Sequence, residues 1–140
     1  MAQVYRLTRA RRLVNVGIRR LALLGLAGRH TYLLTVPGRS TGRLYSTPVI
    51  LVENGERWLV APYGDVGWVR NARAAGEVTL RRGRQTETLK IEEISPAVAA
   101  PVLWEYVRRV PVTRPFFAAG VKSPLEAFEA EAARHPVFRI

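Results

Sequence analysis

Seven consecutive residues, Pro37-Gly38-Arg39-Ser40-Thr41-Gly42-Arg43, bring together two glycines, two hydroxyls and two arginines. Glycines let backbone N–H groups approach an oxyanion closely, hydroxyls add donors, and a guanidinium offers two parallel charge-assisted hydrogen bonds to phosphate or carboxylate. The chemistry such a loop suits is the grip of an anion. The same residue types also fill ordinary hairpin loops, so the pattern taken alone leaves both readings open.

Composition narrows what else the chain could do. It has 140 residues and no cysteine, which removes thiolate nucleophiles, disulfides and cysteine-ligated metal centres. The two histidines, His30 and His135, lie far apart without a carboxylate motif beside either, so each reads as a partly exposed polar residue near the end of an element, and no metal site is expected. A net charge of +11, carried by 22 basic against 11 acidic residues, implies attraction to a polyanion: nucleic acid, an anionic bilayer or a multiply charged small molecule. The chain carries no recognised nucleic-acid module, which sets that partner lowest.

The elements that must position the loop follow from periodicity. From about Ala2 to Leu26, apolar residues including Leu7, Leu13, Val14, Ile18 and Leu21 recur at helical spacing, with Arg6, Arg9, Arg12, Arg19 and Arg20 on the other face. Such a basic amphipathic helix either packs its stripe on the domain or lies on an anionic membrane as a peripheral contact. Strands are expected at Thr31–Val36, Tyr45–Glu53 and Arg57–Pro62, the last two joined at Asn54-Gly55. A short helix from Trp68 ends at Gly76, strands at Glu77–Arg82 and Arg84–Glu93 turn near Gly83, and Ser95-Pro96 opens a helix running to Arg109. After an irregular stretch from Val112 to Lys122, Ser123-Pro124 starts a third short helix, and His135–Ile140 forms a last strand. Strands linked mostly by hairpins, with helices at the margins, predict a mainly β domain with flanking helices, a single α+β unit over residues 1–140. No run of apolar residues reaches the length of a membrane span, and a cytoplasmic location is expected.

Two blocks in this order resemble a known family. Thr35-Val36-Pro37-Gly38-Arg39-Ser40-Thr41-Gly42 followed by Ser46-Thr47-Pro48-Val49, and then Trp58 to Gly64 with Gly67-Trp68-Val69-Arg70-Asn71, are similar to the signature of the actinobacterial-type deazaflavin-dependent nitroreductases. The resemblance implies an FMN-binding-like split β-barrel and the coenzyme F420, with FMN as the alternative. It implies that Arg39, Ser40, Thr41, Gly42 and Arg43 anchor the coenzyme's anionic tail. Tyr45, Thr47, Pro48, Trp68 and Asn71 would line the phosphate side, while Val60, Ala61, Pro62, Tyr63 and Gly64 would pass the ring. The activity implied is hydride transfer to a small electrophilic acceptor, a quinone, activated alkene or nitro compound, with Tyr63 as proton donor. The chain departs from its relatives at Ser40 and Tyr45, where they carry basic residues, and at Pro115-Phe116-Phe117, where they place tyrosines. An apolar substrate pocket is expected around Trp104, Phe116 and Phe117. A monomer and a homodimer are both compatible with this reading, as is a lipid-binding relative that has lost the coenzyme.

Overall fold

In the computed structural model, residues 29–140 are described. The expected helix over residues 2–26 lies outside them. Seven strands are present among the described residues: β1 (Thr31–Pro37), β2 (Leu44–Glu53), β3 (Arg57–Val60), β4 (Glu77–Arg82), β5 (Gln85–Lys90), β6 (Glu92–Glu93) and β7 (Val137–Arg139). Helix α1 (Gly67–Ala75) follows β3, α2 (Pro96–Arg109) follows β6, a 3₁₀ turn spans Pro111–Phe116, and α3 (Leu125–Glu131) precedes β7.

Every pairing is antiparallel, in the order β5-β4-β1-β2-β3-β7-β6. The two outermost strands, β5 and β6, are joined through the single residue Ile91, so the sheet has to roll until its ends lie side by side. Strand β2 makes the split: its first seven residues pair with β1 and its last three with β3. The fold is a split β-barrel with helices at its margin. The strand pattern predicts the mainly β domain with flanking helices, and the family resemblance implies the split barrel.

Alternation along the strands separates two cores. Leu34, Val36, Leu51, Leu59, Leu80 and Phe138 fill the barrel interior together with Val69 and Ala72 of α1. The opposite faces of β2, β3 and β7 carry Val52, Trp58, Val60 and Val137, which pack on Leu103, Tyr106 and Val107 of α2 and on Phe128 of α3. Two buried faces explain why Val49–Val52 reads as an unbroken apolar run.

Turn chemistry matches its sequence signals. Gly76 ends α1 in the left-handed region at φ 74°, its N–H donating to the Ala72 carbonyl. Ser95 caps α2, accepting from the Val98 N–H at 3.5 Å, and Pro96 takes the first helical position.

Four expectations need correction. The single strand over Arg84–Glu93 is two, because the Ile91 N–H bonds the Gly76 carbonyl and Ile94 bonds Val137, which carries the chain across the barrel end. The third strand stops at Val60, where the Ala61 N–H turns to Pro136. Helix α3 starts one residue beyond Pro124, since the Ser123 hydroxyl accepts from Gly120 rather than from the helix. His135 is buried, stacked on Phe117 at 3.9 Å between ring centroids with its Nε2 3.2 Å from Glu131. His30 stands as expected, part-exposed and 3.0 Å from Glu53.

Candidate active site

A cavity of about 830 Å³ opens where the loop after β1, the first half of β2, the start of α1 and the end of α2 converge. Its two ends differ in chemistry. Arg39, Ser40, Thr41, Ser46, Thr47 and Asn71 form a polar end, and Val49, Ile50, Val60, Pro62, Tyr106 and Val110 form a largely apolar one.

The polar end is built by a tight loop. The Gly38 N–H donates to the Arg43 carbonyl at 2.7 Å, the Gly42 N–H donates to the Gly38 carbonyl at 2.9 Å, and Gly42 sits at φ 74°. Gly38 matters for a different reason: a Cβ there would stand 2.8 Å from the Tyr45 ring, which packs across it, lines the cavity and would have to shift. Arg43 lies over that ring, 5.8 Å from its centroid, a cation–π contact. The Thr41 hydroxyl accepts from the Arg43 N–H at 3.2 Å, fixing the loop's curvature.

Arg39 is held by Asn71 of α1, a side chain only 7% exposed. The amide oxygen fixes the guanidinium without cancelling its charge. Several other arginines are paired with carboxylates: Arg70 and Arg73 with Asp65, Arg73 with Glu93, Arg57 with Glu53 and Glu87. No described carboxylate pairs with Arg39. Beside it, Gly67 and Trp68 at the N-terminus of α1 line the same space, in a first turn without an acidic residue. A fixed, uncompensated cation and a helix N-terminus together favour an anion.

The family is decided by the sequence match. A model of the F420H(2)-dependent quinone reductase family covers residues 7–127. The chain belongs to that family. It is therefore an F420H2-dependent oxidoreductase, and nothing in the match supports FMN. No curated protein matches the chain. Among solved structures, an F420-H2-dependent reductase is 22% identical, with 79% of this chain and 93% of that one covered and a TM-score of 0.54. A protein described as a domain-swapped dimer is 18% identical over 91% of this chain and 96% of its own, with a TM-score of 0.58. A putative pyridoxamine 5′-phosphate oxidase from Listeria innocua is 13% identical over 89% and 91%, with a TM-score of 0.52. At these identities the likeness concerns the split-barrel fold.

Of the residues expected to bind the reductase's coenzyme, the structure brings Arg39, Ser40, Thr41, Tyr45, Thr47, Pro48, Val60, Pro62, Tyr63, Trp68 and Asn71 around one cavity. Gly42 and Arg43 support the loop from outside the lining, Ala61 is buried in the barrel core, and Gly64 turns the chain at φ 85°. None of the three residues expected around a substrate pocket lines this cavity. Trp104 faces the C-terminal segment, donating to the Val121 carbonyl at 3.0 Å under Arg108, and Phe117 stacks on His135. Phe116 packs edge-on against Tyr63, 5.0 Å between centroids, and so supports a lining residue without being one. The end of α2 and the turn beyond it give the cavity Tyr106, Val110, Val112 and Thr113.

Tyr106 is the functional candidate that sequence reasoning passed over. It sits on the apolar stripe of α2 with Leu103, Val107 and Val110, where an aromatic residue reads as core. The hydroxyl among apolar neighbours was the only signal. Burial drives its phenol well above the ordinary tyrosine range, with a smaller push in the same direction from Tyr63.

Proposed function

We propose that this cavity is where F420 and a small electrophilic acceptor meet, and that the acceptor is a quinone, an activated alkene or a nitro compound. The observation that carries the reading is the polar end: Arg39 held at 2.8 Å by a neutral amide, its charge uncompensated, and opening directly onto an apolar chamber. The residues present fit the coenzyme. A tail bearing phosphate and carboxylates matches Arg39, Ser40, Thr41 and the start of α1, with Trp68 and Asn71 behind them. A flat aromatic ring matches the walls formed by Pro48, Val60, Pro62 and Tyr63.

When bound in its reduced form, the deazaflavin supplies a hydride, two electrons with one proton. The protein holds ring and acceptor in register, keeps water from the apolar end and supplies the second proton. Tyr63, on the loop after β3 and buttressed by Phe116, is the proposed donor; it passes its proton to the acceptor and takes one back from solvent. A quinone so treated leaves as the hydroquinone.

Titration of the purified protein with F420, followed by fluorescence quenching beside a parallel titration with FMN, tests this directly. Binding of F420 that weakens with salt and falls tenfold or more, on the order of the worth of a charge-assisted pair, in the Arg39→Ala variant supports it. Binding of FMN in preference, or an Arg39→Ala variant that binds as the parent does, overturns it.

A further inference from the structure

Tyr106 is 3% exposed, yet it lines the cavity. Its hydroxyl makes no hydrogen bond to any described residue, and it is not among the fully enclosed polar atoms left without partners. Its oxygen therefore keeps some accessible surface, and the residue it belongs to lines the cavity. A phenol surrounded by Leu103, Val107 and Val110 and left without a partner among the described residues costs stability, because a polar group has been taken out of water with nothing in exchange. Phenylalanine would fill the same volume without that cost. The partner the hydroxyl lacks is supplied by whatever enters the chamber.

We propose that Tyr106 is a second catalytic phenol of this site, one that donates a hydrogen bond to the carbonyl or nitro oxygen of the acceptor and keeps its proton. The inference rests on reading the cavity as the reductase site and divides labour within it. As the hydride adds, negative charge gathers on the acceptor's oxygen, and a donor already aimed there in a water-poor pocket lowers the barrier. A phenol so buried resists ionisation, which suits a donor that holds a proton and disqualifies one that must give it up. The proton that completes the product comes from Tyr63, on the loop after β3, so hydride, proton and charge all balance without Tyr106 changing state. Acceptors bearing a hydrogen-bonding oxygen conjugated to the reducible bond are thereby the preferred class.

Tyr106→Phe separates this role from a packing role. The expected result is a variant that melts at or above the parent's temperature, binds F420 unchanged, and loses tenfold or more in kcat/KM with menadione. In complexes with oxidised F420, where no turnover occurs, the infrared carbonyl stretch of bound menadione should lie lower with the parent than with Tyr106→Phe. A kcat/KM within twofold of the parent, or an unchanged carbonyl stretch, overturns the proposal. Failure of the parent to bind F420 would instead strike the cavity assignment beneath it, and the titration tells the two apart.

Discussion

The side-chain oxygen of Asn71 accepts two hydrogen bonds from Arg39, one from the backbone N–H at 3.1 Å and one from the guanidinium at 2.8 Å. A single amide on α1 thus fixes both the loop after β1 and the direction of its arginine. The neutrality of that amide matters as much as its geometry, because a carboxylate in the same place would hold Arg39 equally well and spend its charge.

Asn71→Asp is therefore expected to preserve the fold and weaken the coenzyme. Its melting temperature should match or exceed that of the parent, while F420 affinity falls roughly tenfold and loses part of its salt dependence. Fluorescence titrations at two ionic strengths provide the check; undiminished affinity would remove Arg39 from the anion site.

Gly38→Ala should act at a distance. A methyl group 2.8 Å from the Tyr45 ring and 3.3 Å from the Arg43 carbonyl forces the ring off the loop, so the cavity's polar rim is reshaped without touching either core. Coenzyme affinity is expected to drop by about tenfold, with a stability loss of only about 1 kcal/mol. Equilibrium denaturation beside the titration distinguishes this from global unfolding.

Glu131 is 1% exposed, and one of its oxygens accepts from the Ala118 and Ala119 N–H groups, both at 2.8 Å, while the other faces His135. Truncation in Glu131→Ala leaves two backbone donors without an acceptor, for a loss of about 3 kcal/mol or more. Urea unfolding should show it, and Glu131→Gln, whose amide oxygen still accepts, should recover part of the loss.

Burial holds His135 below the ordinary histidine range, against an opposing pull from Glu131. Near neutral pH the group is uncharged in both native and unfolded chains. As pH falls through about 6.5 the unfolded chain takes up a proton that the native state resists, so stability declines until the lowered native value is reached and then levels off. Urea midpoints measured from pH 7.5 downward should reveal this slope, and His135→Gln should flatten it; a slope unaltered by the substitution would assign the effect to other groups.

The parts of this fold legible in the sequence are those written in local chemistry. Gly76 and Ser95 announce helix ends because the backbone at those points needs a left-handed residue or a side-chain acceptor. The hairpin at Asn54-Gly55 was readable, though Glu56 joins its loop, with Glu53 facing Arg57. The break at Ile91 was not, since the strand ends there to reach β7, and no glycine or proline marks a tertiary demand. At the site, the Arg39 loop, Tyr63, Trp68 and Asn71 could be gathered because they carry a pattern. Tyr106, Val110 and Thr113 could not, because their part in the cavity depends on how α2 crosses the barrel, which helical periodicity leaves open.

Strand β7 enters the sheet between β3 and β6, although it comes from the far end of the described chain. The hairpins β1–β2, β2–β3 and β4–β5 can each form from neighbouring residues, but β3 and β6 share no edge until Val137, Phe138 and Arg139 arrive to bridge them. Closing the barrel is thus a problem of order in time. Contacts of such long sequence separation form after the local ones have been made, so trimming Phe138, which β7 buries in the barrel interior, should hasten unfolding while leaving the rate of folding nearly untouched.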